Sequence, residues 1–584
     1  MMRDRRNDSL FRRRLFFSGL TLSTIGGLTA ALIALLAHTG RIGIADAVLV
    51  AAFTVNVTWL ALGLWNAVIG LALLLVPGQE RTPPTGDITG RVAVAMTIRN
   101  ENPADVFARI RTIKDSLDAT ASGPLFDYYL LSDSSDPAII ASEGQNAADW
   151  QNQLNQPGRV TYRHRPVNDG FKPGNLRDFC RRWGDGYDIL ILLDADSLMT
   201  GATILDMVRT MVRQPRLGIL QSLIVGILSP SFFARVFEFG HRHGLRCTMA
   251  GAVWWQGDRC QFWGHNAAIR LKPFIAQCEM PYLPGKGPFS GHIICHDQIE
   301  ASFMHRAGYE VRVMAEESGS YEGVPPTLPD FMKRNHRWCQ GNLKNLKIIG
   351  APGLAAIDRF HLGVVAQRFL AGPALVAFAL AATVLACSEP AAADAFPARS
   401  ALILYGLWLG LLIFPKLAGL AVALRCSPAR YGGALRLMLG GLTECLFTLV
   451  LTPVGAVGAT VFMAGLICGR SLAWDQQARD GYRLSWRCAL AGLWPQTLLG
   501  GAVFASLALF NPGALPWFAP FWLSLLLSVP FAVLTTSPAL DDWAQRHGLC
   551  RIPEETEEPA EIAGLKRLKA RLVPAHARHE GIGP

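Results

Sequence analysis

Long apolar runs dominate this sequence, and they fall into two groups separated by a polar stretch. A membrane-spanning helix needs about 20 consecutive, mostly apolar residues. Two such runs precede the polar stretch and five follow it, at about 16–38, 46–76, 362–387, 400–424, 437–469, 488–510 and 515–536. The sequence therefore predicts membrane segments on both sides of a soluble domain.

The composition supports a membrane protein. Charged residues make up 17% of the 584 residues and hydrophobic residues 51%, which excludes a disordered chain and a wholly soluble protein. We attribute the net charge of +10 to arginines at cytoplasmic membrane boundaries and expect no nucleic acid as a partner. The 12 cysteines include no CxxC pair, which argues against a disulfide framework or a zinc module.

Arginines set the predicted orientation. Six of them precede the first apolar run, namely Arg3, Arg5, Arg6, Arg12, Arg13 and Arg14. By the positive-inside rule they place the N-terminus in the cytoplasm, and two crossings return the chain there near residue 77. The first run is too long for a cleaved signal peptide. We therefore expect the polar domain to be cytoplasmic.

The run at 437–469 decides the number of crossings. Basic loops flank it on both sides, with Arg425, Arg430 and Arg436 before it and Arg470, Arg479, Arg483 and Arg487 after it. Because both loops favour the cytoplasm, we expect two short spans or a re-entrant pair that turns near Pro453. This gives about six spans after the soluble domain and a cytoplasmic C-terminus, and seven simple crossings in all are the alternative.

These features divide the chain into five parts. We expect a cytoplasmic tail and two membrane helices in 1–76, a linker in 77–90, the soluble domain in 91–355, about six membrane helices in 356–540 and a cytoplasmic tail in 541–584. The last part carries an acidic cluster followed by a basic stretch. It is expected to be solvated and partly disordered, and a docking site for a partner is the alternative.

The soluble domain alternates predicted strands and helices. Strands are expected at 91–98, 126–131, 160–163 and 188–193, with helices at 104–118 and 175–183. This order predicts a mostly parallel sheet covered by helices. In such sheets ligands bind beyond the carboxyl ends of the strands, where the polar clusters of this sequence fall.

Two of these clusters suit a cation and a diphosphate. Asp194 and Asp196 directly follow an apolar strand, and paired carboxylates suit a hard divalent cation. A lone DxD is common in loops, so its position after a buried strand carries the prediction. In Lys172-Pro173-Gly174-Asn175, the lysine can pair with a diphosphate that the glycine allows the backbone to approach. The alternative is an ordinary loop with an exposed lysine.

Three other clusters complete the candidate site. Thr97, Arg99 and Glu101 lie at the end of the first strand, and Asp133 lies at the end of the second. These side chains can hold a base and a ribose, and strand-end capping is the alternative.

Asp297 follows His296 at a predicted helix start, where a carboxylate can act as a general base or simply as a first-turn aspartate. His292 and His296 are four residues apart, but the helix has no HExxH pattern, so zinc is not expected.

A basic and aromatic cluster lies at Arg334-Asn335-His336-Arg337-Trp338. Two arginines three residues apart share a helix face and can neutralise a diphosphate leaving group. Trp338 offers a flat face on which a sugar ring can stack. The alternative is an interfacial helix with snorkelling arginines and a tryptophan anchor.

Taken in order, these clusters resemble the family 2 inverting glycosyltransferases of the GT-A fold, and the flanking membrane runs are similar to those of processive synthases. The sequences of individual motifs are closer still to those of the glucans biosynthesis glucosyltransferase H family. Seven stretches carry this resemblance, namely LSDSSD (131–136), FKPGNLRDFC (171–180), LDADSLM (193–199), WGHNAAIR (263–270), CHDQIEAS (295–302), GSYEGVPP (319–326) and RWCQGNL (337–343).

The resemblance implies an α/β GT-A domain, the fold of nucleotide-diphospho-sugar transferases, inserted between α-helical transmembrane segments. It implies an inverting hexosyltransferase that builds the β-1,2-linked backbone of osmoregulated periplasmic glucans from UDP-glucose at the bacterial inner membrane. Mg²⁺ or Mn²⁺ is the implied cofactor. The implied partners are the growing glucan, membrane lipids and, as a candidate, acyl carrier protein.

Together the clusters and the resemblance assign each site residue a role. Asp297 is the catalytic base, and Asp194 and Asp196 hold the metal. The donor is assigned to Thr97, Arg99, Glu101, Asp133, Lys172, Asn175, Asp194, Arg334 and Arg337, and the acceptor to Trp338, Trp263, Gly264 and His296.

Two positions depart from the family 2 pattern. Arg334 stands where a glutamine is common, and His296 stands where an acidic residue usually precedes the base. Both departures weaken a reading as a cellulose synthase.

Several alternatives stay open on the sequence alone. The product can be another β-linked polysaccharide, the acceptor can be lipid-linked, or the chain can be a transporter or scaffold with a degenerate domain. The membrane helices either anchor the enzyme or export its product. Lys416 and Glu444 either line a polar path, pair with each other or lie near an interface.

Overall fold

The computed structural model describes residues 2–38, 43–76, 83–154, 156, 158–388, 397–471 and 481–572, with only the backbone described for 2–7. The strands are β1 (Val92–Ile98), β2 (Phe126–Ser132), β3 (Val160–His164), β4 (Ile189–Asp194), β5 (Leu198–Met199), β6 (Leu217–Ile227), β7 (Ala267–Arg270) and β8 (Glu310–Gly323). The helices are α1 (Met2–Ala37), α2 (Ile44–Leu74), α3 (Pro103–Asp118), α4 (Pro137–Leu154), α5 (Phe171–Trp183), α6 (Gly201–Arg213), α7 (Phe232–Gln256), α8 (Leu271–Gln277), α9 (Asp297–Arg306), α10 (Leu328–Asn345), α11 (Ala356–Ser388), α12 (Ala398–Cys426), α13 (Ala434–Ile467), α14 (Trp486–Phe510), α15 (Leu515–Leu526), α16 (Ser528–Thr535), α17 (Pro538–His547) and α18 (Ala560–Leu572).

The strands of the polar domain form one mixed sheet in the order β3-β2-β1-β4-β7-β6-β8-β5. The four strands expected from the sequence are β1 to β4, and they pair in parallel as β3-β2-β1-β4. β7 runs antiparallel to both of its neighbours. The parallel register pairs Ile98 with Ser132 and Thr97 with Asp194, so the carboxyl ends of three strands meet at one edge.

Apolar side chains cover both faces of this sheet. On one face, Phe107 and Ile110 of α3 and Val208 of α6 pack against β1 and β4. On the other face, Leu176 and Phe179 of α5 pack with Met304 of α9. The alternation of strands and amphipathic helices in the sequence produces these layers.

The membrane helices flank this domain on both sides in the sequence. Among the described residues, six helices are long and apolar enough to span a membrane, namely Asp8–Ala37, Ile44–Leu74, Ala356–Ser388, Ala398–Cys426, Ala434–Ile467 and Trp486–Phe510. A seventh candidate is the pair Pro512–Leu526 and Ser528–Thr535, which is bent by 52°.

The predicted break within 437–469 is wrong, because α13 is a single continuous helix through Pro453. A proline removes one backbone hydrogen bond, and neighbouring helices can compensate for that loss in a membrane helix. The break lies instead between α15 and α16.

The segment before α13 lies against the polar domain, with the ring of Tyr431 4.7 Å from that of His243. Of the arginines expected after the run, Arg479 lies outside the described residues.

α7 joins the polar domain to the membrane helices, and no sequence pattern predicted this contact. A Cβ atom on Gly70 of α2 would lie 1.8 Å from the carbonyl oxygen of Cys247, and one on Gly419 of α12 would lie 2.1 Å from that of His243. Only glycine permits such close approach of two helix backbones. The domain is therefore held tightly against α2 and α12.

Two charged residues within the membrane helices pair with each other. Lys416 of α12 forms an ion pair with Glu444 of α13, and Thr448 donates a hydrogen bond of 2.8 Å to the same carboxylate. Of the alternatives for these two residues, the structure therefore shows the mutual pair.

The C-terminal segment, residues 538–572, is not the solvated tail that the sequence predicts. Its acidic residues bind two buried arginines of α7. Arg235 contacts Asp541 and Glu555, each at 2.7 Å, and Arg242 contacts Glu554 and Glu317. The partners Arg235 and Glu555 are 320 residues apart in the chain, so local composition could not reveal them. Residues 573–584 of the expected tail lie outside the described residues.

Candidate active site

The first element of the candidate site is a lysine held between two strand ends. Lys172 forms an ion pair with Asp194 at the end of β4, and its Nζ donates a hydrogen bond of 2.7 Å to the carbonyl oxygen of Gly264. Thr97, at the end of β1, lies with its hydroxyl 3.4 Å from the same Asp194 carboxylate. The structure thus brings together three of the residues assigned to the donor.

Lys172 lies in a helix and not in the glycine-rich turn that the sequence predicts. α5 begins at Phe171, four residues before the expected start, and Gly170 precedes it in a left-handed conformation. Proline is well tolerated in a first helical turn, so Pro173 does not delay the helix. A Cβ atom on Gly174 would lie 1.9 Å from the carbonyl oxygen of Asp169, so this glycine allows the turn to close.

The two aspartates of the DxD pattern lie at the end of β4 and in the tight turn that follows it. The backbone N–H of Asp194 donates to the Ser197 hydroxyl at 2.9 Å, and Arg109 donates to the carbonyl oxygen of Asp196 at 2.8 Å. Burial raises the pKa of the nearby Glu322 carboxyl, and the carboxylates of Asp196 and Asp194 raise it further. The turn therefore presents concentrated negative charge, which attracts a cation.

Asp297 lies beside Gly264, the residue whose carbonyl oxygen accepts the hydrogen bond from Lys172. It is the first residue of α9, as the sequence predicts. A Cβ atom on Gly264 would lie 3.5 Å from the Cβ of Asp297. This glycine, which is hydrogen-bonded to Lys172, therefore lies between the DxD turn and Asp297. Burial raises the pKa of the Asp297 carboxyl, and the positive charge of His296 opposes that shift. A raised pKa suits a carboxylate that must accept a proton.

His296 has a partner that the sequence analysis missed. Its Nδ1 lies 2.7 Å from the carboxylate of Glu300, one helical turn along α9, and both side chains are buried. The opposite edge of the ring faces Gly264, since Cε1 lies 3.7 Å from the position of a glycine Cβ there. A glutamate four residues after a histidine on a helix is the signal that could have found this pair.

The strand-end residues assigned to the nucleoside are held by local contacts. Asp133 receives two hydrogen bonds of 2.7 Å from Arg165, which the sequence analysis did not consider. The carboxylate of Glu101 accepts the backbone N–H of Arg99. Both contacts organise the edge of the sheet next to Thr97.

Asn175 supports this edge of the sheet through buried hydrogen bonds. Its side chain is fully buried, donates to the carbonyl oxygen of Leu131 at 2.9 Å and accepts from Arg163 at 2.6 Å. These contacts tie α5 to β2 and β3 and use both ends of the amide group. The structure therefore does not bring Asn175 to the cleft with Lys172.

The basic and aromatic cluster lies on α10, which begins at Leu328 and contains all five residues. The guanidinium of Arg334 lies 4.8 Å from the ring centre of Trp338 and 3.8 Å from the carboxylate of Glu322. Arg337 is buried, and its charge acts on Cys295, two residues before Asp297. The two arginines therefore have different surroundings, although they share a helix face.

Trp263 lies in the loop that also contains Gly264. Its backbone N–H donates to the side chain of Gln221 at 3.0 Å, and the Gln221 amide donates to the carbonyl oxygen of His265 at 3.0 Å. Gln221 comes from the middle of β6, a strand that the sequence analysis did not predict. This glutamine fixes the loop between the DxD turn and Asp297.

Comparison with known proteins identifies the family. The sequence model described as Glycosyl transferase family group 2 matches residues 189–422. The chain is 35% identical over 534 residues to the glucans biosynthesis glucosyltransferase H of Dickeya dadantii, covering 87% of this chain and 62% of the relative. It is 34% identical over 579 residues to the protein of that name from Ralstonia nicotianae, covering 95% and 67%. The chain thus spans about two thirds of the length of these relatives.

A solved structure is also similar, that of a mannosyltransferase from Pyrobaculum calidifontis in complex with GDP-Man and Mn²⁺. It has a TM-score of 0.42 and 18% identity, covering 68% of this chain and 98% of that chain. The family match, with the mixed sheet and the flanking apolar helices, confirms the predicted GT-A domain. The chain therefore belongs to the glucans biosynthesis glucosyltransferase H family, within glycosyl transferase family group 2.

Proposed function

We propose that this protein transfers glucose from UDP-glucose to a growing glucan and builds the β-1,2-linked backbone of osmoregulated periplasmic glucans. One observation carries the proposal. Lys172 contacts Asp194 on one side and the carbonyl of Gly264 on the other, and Gly264 adjoins Asp297. A residue suited to a phosphate-bound cation and a residue suited to a general base thus lie close to the same glycine, which supports one shared site.

The residues of the DxD turn fit a cation that the donor helps to bind. Among the described residues, no group of three or more His, Cys, Asp or Glu side chains is placed to hold a metal ion alone. Mg²⁺ is commonly bound by one or two carboxylates together with substrate phosphates. Asp194 and Asp196 would hold Mg²⁺ or Mn²⁺, which would supply positive charge to the diphosphate.

The protein's own cations complete the neutralisation of the leaving group. Lys172 is within reach of Asp194, and Arg337 is buried near the start of α9. Fixed positive charge in a partly buried site stabilises negative charge that develops during a reaction. We assign both residues to the departing UDP, and Thr97, Arg99, Glu101 and Asp133 to the nucleoside. Asn175 supports this side of the cleft without contacting the donor.

Asp297 acts as the base in this proposal. It takes the proton from an acceptor hydroxyl, whose oxygen attacks the anomeric carbon from the face opposite UDP. The bond to UDP breaks as the new bond forms, so an α-linked donor gives a β-linked product. Trp338, Trp263, Gly264 and His296 are assigned to the acceptor, and the closeness of Gly264 to both Asp297 and His296 supports this assignment.

The membrane region is proposed to export the product from the cytoplasm across the bacterial inner membrane. In support, α10, which carries Trp338, packs on the membrane helices α11 and α13. The ring of His336 stacks on Phe462 of α13 with centres 4.5 Å apart. The helix to which we assign part of the acceptor site is therefore in direct contact with the membrane helices. From the basic loops we infer a cytoplasmic domain and cytoplasmic termini, and acyl carrier protein is a candidate partner by resemblance alone.

The large cavity among the membrane helices is a poor path for a sugar as it stands. It has a volume of about 550 Å³ and mainly apolar walls. Asn56 bonds to Trp408 and to the carbonyl of Ala371, and Asn511 bonds to that of Ala386. Two of the polar side chains that line the cavity are therefore already hydrogen-bonded to protein groups.

The test is the product itself. Purified full-length protein incubated with UDP-glucose and Mg²⁺ should release UDP and form a β-1,2-linked glucan, identified by methylation analysis. Parallel reactions with UDP-N-acetylglucosamine should give no polymer. A different linkage would indicate another polysaccharide synthase, product found only on lipid would indicate a lipid-linked acceptor, and no UDP release with either donor would contradict the proposal.

A further inference from the structure

We propose that Arg334 and Glu322 are positioning residues that hold the Trp338 indole for the acceptor, and that His265 ties them to the DxD turn. This inference rests on the proposed transfer reaction. It removes Arg334 from the donor site, to which its sequence pattern assigns it. Four side chains from three separate parts of the domain carry it, and we call them the platform relay: His265, Glu322, Arg334 and Trp338.

The first step is the stacking of a guanidinium on an indole. The Arg334 guanidinium lies 4.8 Å from the centre of the Trp338 ring. Trp338 follows Arg334 by four residues on the same helix, α10. A planar guanidinium over an indole face is attracted to it. An indole has two faces, so a sugar ring can stack on the face opposite Arg334. The arginine thus fixes the tilt of the ring on which the acceptor rests.

The second step is the charge on Arg334. Its side chain is 12% exposed and lies 3.8 Å from the Glu322 carboxylate. A mostly buried cation needs such a counter-charge. Because Glu322 already neutralises Arg334, this arginine is poorly suited to neutralise a diphosphate. Arg337, which is buried near the start of α9, keeps the leaving-group role.

The third step connects Glu322 to the metal side of the cleft. The Nε2 of His265 lies 3.4 Å from Glu322, and its Nδ1 lies 3.5 Å from the Ser197 hydroxyl. That hydroxyl accepts the backbone N–H of Asp194 at 2.9 Å. A continuous series of polar contacts therefore runs from the DxD turn to the Trp338 ring.

The relay predicts a specific kinetic signature. Loss of the stacking cation should raise the KM for a short β-1,2-linked glucan acceptor about 5- to 30-fold, as expected for a partly desolvated cation–π contact. The KM for UDP-glucose should change less than twofold, because donor contacts are retained. Arg334→Gln and Glu322→Gln should both show this split. Arg334→Lys keeps the charge without the planar stack and should fall between wild type and Arg334→Gln.

A double-mutant cycle separates a relay from independent contacts. In a Trp338→Phe background, Arg334→Gln should add little further increase in acceptor KM, because interacting residues are not additive. Lys333→Gln, one residue earlier on α10, is the matched control and should leave both KM values unchanged. UDP-glucose binding by each variant, measured by calorimetry, shows that the variant is folded.

Two results would overturn the inference. One is an Arg334→Gln variant that raises the donor KM and leaves the acceptor KM unchanged, which would return Arg334 to the donor site. The other is full additivity of Arg334→Gln with Trp338→Phe. Wild-type protein without glucosyl transfer would instead refute the proposed function, so the two failures are distinguishable.

Discussion

Lys172 and Asp194 form an ion pair at the centre of the candidate site. The lysine also donates to the carbonyl oxygen of Gly264 at 2.7 Å, so its ammonium group lies between the DxD turn and the loop beside Asp297. A cation bound to Asp194 would compete with this ammonium group. We infer that Lys172 moves to the diphosphate when the donor and cation bind.

This relationship predicts opposite effects of one substitution. Lys172→Gln should tighten Mn²⁺ binding to the donor-free protein, because a competing charge is removed. It should also lower the rate of glucosyl transfer by about 10- to 100-fold, the effect of losing one charge-assisted hydrogen bond. Mn²⁺ titration followed by electron paramagnetic resonance gives the first quantity and UDP release the second. Weaker Mn²⁺ binding in the variant would show that the lysine does not compete for Asp194.

The acid limb of the pH profile tests the environment of Asp297. Burial raises the pKa of this carboxyl above its ordinary value of 3.8, and the charge of His296 opposes the shift. A base must be deprotonated to act, so kcat/KM should fall as the pH drops through this raised pKa. His296→Gln should move the limb to higher pH, since it removes the opposing charge. A limb that stays in place or moves to lower pH would contradict this account.

The C-terminal segment should stabilise the domain through buried ion pairs. The side chain of Arg242 is 2% exposed and lies between Glu317 and Glu554. Arg242→Gln leaves these carboxylates without their partner and should lower the free energy of unfolding by about 3–5 kcal/mol. Lys566→Gln, which removes an exposed pair with Glu558, should cost under about 1 kcal/mol. Thermal unfolding in detergent compares the two, and equal losses would show that the segment is not held as described.

The ion pair between Arg242 and Glu317 also predicts how the stability of the protein changes at acid pH. Burial would raise the pKa of Glu317, but the charge and hydrogen bonds of Arg242 outweigh it and hold the pKa below its ordinary 4.5. A depressed carboxyl pKa contributes stability that is present above the unfolded value and is lost as the pH falls through the folded value. Wild-type protein should therefore lose stability below about pH 4.5 more steeply than Arg242→Gln, as measured by thermal unfolding at several pH values.

The sequence predicted the half of the domain in which apolar strands alternate with helices. β1, β2 and β4 are short, mainly apolar runs ended by polar residues, and this pattern places Asp194 and Thr97 together. β8 could not be predicted in the same way, because its residues include several glutamates and a glycine, Gly319, with a φ of +84°. Glu322 lies on that strand, so its role was missed.

Long-range partners were the second class of omission. The start of α9 was predicted from local sequence, and with it the position of Asp297. The ion pair between Arg235 and Glu555 joins residues that are 320 positions apart in the chain, and nothing in the local sequence of either residue indicates the other. The same holds for Gln221, which fixes the loop around Gly264 from the middle of β6. Tertiary contacts of this kind follow from packing and not from periodicity.

The most direct measurement compares wild-type protein with Asp297→Asn on radiolabelled UDP-glucose. Asparagine has nearly the shape of aspartate but cannot accept the acceptor proton, and general base help contributes about 10²- to 10⁴-fold. We predict that the variant binds UDP-glucose with wild-type affinity and loses at least about 100-fold in incorporation of glucose into glucan. Incorporation near the wild-type rate would show that the cleft beside Lys172 and Asp194 does not use Asp297 as its base.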